Sequence, residues 1–178
     1  MKTRRLVLSA MLTALYVLLS LYVTINLGNM KITLDALPIL IAALLFGPLT
    51  GAAVGLVGSF LVQMLTYGFT PTTLLWILPA GVRGLLVGAA AKRLDLTKRG
   101  NLLATIVVSA LIVTTINTAV MAIDAKLYGY YSHAYVFGAL IWRYLAGILV
   151  SVVYAAVLPV LLSHLRRAGI GVPAPKKE

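Results

Sequence analysis

The sequence contains no cysteine and, in 178 residues, only four acidic side chains against 15 lysines and arginines. Without cysteine there is no disulfide, no thiol nucleophile and no thiolate metal site, and the two histidines, His133 and His164, lie far apart in the chain. Four carboxylates are too few for paired acid–base work, and no nucleophile stands beside a base, so enzyme chemistry has little to use. No glycine-rich loop followed by Lys and Ser or Thr occurs, so the chain carries no ATP site of its own. The net charge of +11 would suit nucleic acid, but no aromatic-basic RNA motif accompanies it and the basic residues gather at the ends of apolar runs. Membrane topology explains the charge better.

What the chain has in excess is apolar surface: 61% of its residues are hydrophobic and 11% charged, with a mean hydropathy of +1.02. This composition specifies an integral membrane protein, all-α and organised as a single membrane-embedded domain over 1–178. A bilayer core of roughly 30 Å takes about 20 apolar residues per helix, so the length allows six or seven spans at most. The apolar pattern predicts six transmembrane helices, at about 6–25, 37–46, 49–67, 74–91, 102–124 and 134–165. The first has the basic flank of a signal peptide, but its apolar run is too long and no cleavage site follows, so it reads as a retained helix. The stretch "NLGNMKITLDALP" reads as a polar connection, and the second helix is too short to span upright. Gly47 and Pro48 then make a tight turn. Gly47, Gly51, Gly55 and Ser59, at four-residue spacing, put small residues on one face of the third helix, where another helix can approach closely.

With six crossings, Lys2, Arg4, Arg5, Lys92, Arg93, Lys98, Arg99, Arg166, Arg167, Lys176 and Lys177 share one side, against Lys31 and Lys126 on the other. By the positive-inside rule both termini are expected in the cytoplasm of a bacterial cell.

Arg83 interrupts the fourth apolar run about nine residues from either end, which places it roughly 13 Å from each surface. Arg143, about nine residues into the sixth helix, is expected at a similar depth. A cation at mid-bilayer costs at least about 2.5–3.5 kcal/mol, so each should face the bundle and find an anion. Asp95 and Glu178 fall on the cytoplasmic side and Asp35 in the first outer loop, leaving Asp124 as the best internal partner. One carboxylate cannot neutralise two guanidiniums, and the inferred deficit of about one negative charge suits an anionic ligand. Gln63, Tyr67, Trp76, Asn117 and Trp142 lie near the same level and complete a candidate substrate site. Tyr128, Tyr130, Tyr131 and Tyr135 read first as an interfacial aromatic belt, with a lid over the ligand as the second reading.

Four stretches together resemble an S component, the substrate-binding subunit of an energy-coupling factor vitamin transporter, most similar to the folate-type branch. They are "SAMLTALY", "MKITLDALPILIAALLFGPLTGAAVGLVGSF", "FTPTTLLWILPAGVRGLLVG" and "YGYYSHAYVFGALIWR". The resemblance implies capture of a vitamin from outside and docking through helix one onto a transmembrane coupling subunit. Two cytoplasmic ATPases would consume the ATP, so the chain itself needs no cofactor. Ala10 and Ala14 match the family's docking pair in spacing. Folate, pantothenate, another vitamin and a deazapurine precursor all remain open as substrates. The rival reading is a membrane scaffold of bacterial cell-wall or shape machinery.

Overall fold

A computed structural model describes residues 2–27, 30–168 and 170. Lys176, Lys177 and Glu178, and the side chains of Lys2, Lys31 and Arg166, lie outside what is described. The chain runs α1 (Lys2–Tyr22), β1 (Thr24–Leu27), β2 (Met30–Thr33), α2 (Ala36–Phe46), α3 (Pro48–Tyr67), α4 (Thr73–Arg93), α5 (Arg99–Leu127), α6 (His133–Phe137) and α7 (Leu140–Arg167). Five helical segments, Thr3–Tyr22, Pro48–Tyr67, Thr73–Arg93, Arg99–Leu127 and His133–Leu165, are long and apolar enough to cross a membrane.

Two expectations need correction. The first helix ends at Tyr22, and what was read as its end and the following polar connection is an antiparallel hairpin pairing Thr24 with Thr33 and Leu27 with Met30. The fold is therefore mostly rather than wholly helical. The last apolar run is also not one helix: Gly138 and Ala139 separate the short α6 from α7, which places Arg143 in the first turn of α7.

The remaining helix, α2, has 11 residues and is apolar on every side, so it must be surrounded. Leu40, Ile41, Ala43 and Leu45 of α2 form one core with Val87 of α4, Leu102 and Ile106 of α5, and Tyr154, Leu158 and Leu162 of α7. It ends at Gly47, whose φ of 94° suits glycine, and Pro48 then opens α3 with its fixed φ.

The small-residue stripe of α3 packs as its spacing suggests. A Cβ at Gly51 would stand 2.6 Å from that of Ala43 on α2, one at Gly55 would overlap the Ala80 carbonyl, and one at Gly84 of α4 would overlap the Gly51 backbone. These contacts draw α3 and α4 together and fix the rotation of α4 about its axis.

At one end of the bundle Arg5 donates to Thr50 Oγ1 (Nε, 3.1 Å) and to the Phe46 carbonyl (Nη2, 2.5 Å), while Arg4 reaches the Ala168 carbonyl at 3.3 Å. The start of α1, the α2–α3 turn and the end of α7 therefore meet there, with Gly88 near the end of α4 packed on Pro48. This is the end that gathers the basic residues, and the ligand-sized cavity opens at the other.

Candidate functional site

Seven helices contribute to a cavity of about 770 Å³ that also reaches Thr33 and Asp35 at the foot of the hairpin. The lining follows helical periodicity: Trp76, Ala80 and Arg83 on α4; Ser109, Val113, Asn117, Met121 and Asp124 on α5; Arg143, Gly147, Ser151 and Tyr154 on α7. Ile39 and Leu40, near the start of α2, close its floor, and Tyr67, Tyr128 and Tyr130 stand at its mouth. A volume of this size suits a drug-sized organic molecule.

Asp124 is the centre of the mouth. Its Oδ1 accepts Thr72 Oγ1 at 2.5 Å and Trp76 Nε1 at 3.2 Å, and its Oδ2 accepts the Tyr130 hydroxyl. All three donors are neutral, so the expected pairing of Asp124 with an arginine is not what the structure holds. The carboxylate is hydrogen-bonded through both oxygens and lies 9% exposed. In return, its acceptance of the Tyr130 proton pushes that phenol well above the ordinary tyrosine range. Tyr130 and Tyr135 meet edge to face at 5.5 Å, and Tyr131 lies under the Lys126 ammonium at 5.2 Å. Tyr128, Tyr130 and Tyr135 thus line the cavity rather than forming only an outward belt.

Arg83 lines the cavity deeper, and its Nε is shielded from solvent without a hydrogen-bond partner among the described residues. An orphaned donor of this kind costs about 1–3 kcal/mol, and more when charged. Trp76 and Arg83 are seven residues apart on α4, and Asn117 and Asp124 seven apart on α5, two helical turns in each case. Because Trp76 bonds Asp124, stepping two turns inward on each of these antiparallel helices brings Arg83 and Asn117 to one depth, about 10 Å below the mouth. Neither Asn117 nor Gln63, which also lines the cavity, spends its side-chain amide on a described residue.

Arg143 is placed differently from the expectation. It stands near the mouth, with Nη1 on the Val136 carbonyl at 3.4 Å and Nη2 on Met121 Sδ at 3.0 Å, so it does not share the level of Arg83. Trp142 is 66% exposed and lies outside the lining, on the side of α7 turned away from the cavity that Arg143 faces. Asp35, read as an outer-loop residue, lines the cavity and accepts Ser20 Oγ at 3.1 Å. Two arginines and two aspartates therefore face the same space, and the expected one-charge deficit does not hold.

The family model described as "ECF transporter, substrate-specific component" matches residues 4–162. The chain belongs to that family. It is thus a multi-pass integral membrane protein. The fold agrees: an S component of a bacterial ECF transporter superposes with a TM-score of 0.64 at 22% identity, covering 93% of this chain and 99% of that one. FolT bound with folic acid gives 0.67 at 21% identity, covering 88% and 92%. Among curated relatives, a UPF0397 protein of Streptococcus thermophilus is 30% identical over 53% of this S component and 51% of its own length. One from Lactobacillus helveticus is 36% identical over 47% and 45%. The chain spans about half the length of the curated relatives it matches.

Proposed function

We propose that this S component captures a vitamin or related micronutrient, folate-like and bearing an anionic or carbonyl group, in the cavity beneath Asp124. It then delivers the molecule to a transmembrane coupling subunit driven by two cytoplasmic ATPases. The observation that carries the reading is the shielded Nε of Arg83, without a partner among the described residues, in the wall of a cavity of about 770 Å³. A ligand oxygen there would remove the cost of the orphan, and a bidentate contact would add direction.

In this reading α2 counts as the sixth crossing and the end rich in arginine and lysine faces the cytoplasm, so the mouth opens outward. Ala10 and Ala14 lie on the exposed face of α1, opposite buried Tyr16 and Ser20, and suit close approach of a partner helix.

Native mass spectrometry of gently purified protein tests the capture step. A retained vitamin-sized molecule supports it. A bare spectrum that persists after incubation with water-soluble vitamins and nucleobase precursors returns the weight to a membrane scaffold.

A further inference from the structure

Arg83 sets one requirement on the occupant of the cavity, and Asp124 sets a second, independent one. Its carboxylate offers about four acceptor positions and three are used, by Thr72, Trp76 and Tyr130. Among the described residues no cation is among its partners, and no hydrogen bond or ion pair joins it to Arg83. Of the two arginines and two aspartates that face this space, Arg83 and Asp124 make no ionic bond to each other and are held apart by two turns of α4. Collapse onto each other is prevented by the glycine contacts that fix α4 and by the three donors that pin Asp124.

We propose that the ligand is amphoteric: it presents an acidic or carbonyl acceptor to Arg83 and Asn117, and an N–H donor to Asp124 about 10 Å away. The inference rests on the capture reading and adds a chemical class to it. A molecule with only the acid leaves Asp124 desolvated and facing an apolar or electron-rich group. One with only the donor leaves the Arg83 Nε without an acceptor. Ligands lacking either end are rejected because the site's own buried polar groups lose water without gaining a partner.

The test is a thermal-shift and affinity comparison on the full-length detergent-solubilised protein with three sets of probes. Folic acid and biotin carry both an acid and N–H donors; lipoic and nicotinic acids carry the acid without an N–H; thiamine and adenine carry N–H donors without the acid. Binding confined to the first set is expected, weakened about tenfold or more by Arg83→Gln and again by Asp124→Asn. Arg83→Lys and the ligand-free melting temperature report whether a variant has lost its fold instead of its ligand. Binding confined to an acid-only or donor-only set overturns the amphoteric class while leaving capture standing. Failure of every probe, together with no retained molecule, overturns capture itself and this inference with it.

Discussion

Gly84 on α4 lies against Gly51 on α3 so closely that a methyl group on Gly84 would overlap the Gly51 backbone. Arg83 is the neighbour of that contact, so the direction of its guanidinium is set by how near two backbones can come. Replacing Gly84 with Leu should part α3 from α4 and turn Arg83 out of register. Overpacking of this kind costs about 1–3 kcal/mol, so a fall in melting temperature together with lost ligand binding is expected. Full retention of binding would mean that α4 is positioned by something other than the glycines.

Arg83→Gln separates ligand binding from stability. Removing a shielded cation with an unpartnered donor should leave the melting temperature unchanged or raise it, by about 2–4 °C for each kcal/mol relieved, while binding weakens. A marked loss of thermal stability in the ligand-free protein would make Arg83 a structural residue.

Trp76 and Trp142 should respond in opposite ways. Trp76→Phe removes a donor from Asp124 and should weaken binding, whereas Trp142→Phe, on the outer face, should leave it within about twofold. Quenching of tryptophan fluorescence by a bound aromatic ligand should vanish in the first variant and persist in the second.

The Tyr130 hydroxyl on Asp124 ties the α5–α6 loop across the mouth. The phenol is held above its ordinary value, so it contributes below about pH 10 and is lost only as pH rises through the higher folded value. Ligand release should therefore be independent of Tyr130 ionisation from about pH 6 to 9. Tyr130→Phe should speed release roughly threefold to tenfold at every pH in that window. Stopped-flow release with a labelled ligand would show it, and an unchanged rate would remove the loop from control of exit.

Bulk on α1 should act elsewhere. Ala10→Trp or Ala14→Trp should abolish uptake in cells while leaving affinity of the purified subunit unchanged, since both residues face outward. Loss of affinity would place the pair in support of the fold.

Much of this was legible in the sequence because a helix declares itself by period. The five long helices follow their apolar runs, and the small-residue stripe on α3 packs against α2 and α4. Arg83 announced a cavity because a mid-membrane cation needs one. The hairpin was less visible, although Gly28 and Asn29 between two β-compatible stretches are a recognised turn signal. Asp35 was misplaced because its depth depends on where the short α2 starts, and only packing shows that. Tyr154 fixes it, by donating from its hydroxyl to the Thr33 carbonyl at 3.2 Å. The charge deficit failed for the same reason. Arg143 faces the cavity while its neighbour Trp142 is exposed on the outer side, a choice of rotation that packing of α7 makes.

The shortness of α2 has a volumetric meaning. Eleven residues rise about 16 Å, roughly half of a 30 Å hydrocarbon core. A sixth full-length helix would fill the bundle from end to end. This one stops partway like a cork pushed down a bottle, and its upper face, Ile39 and Leu40, becomes the floor on which a ligand rests. The size of molecule that fits is thus written in the turns that α2 lacks, and each added turn would raise the floor by about 5 Å.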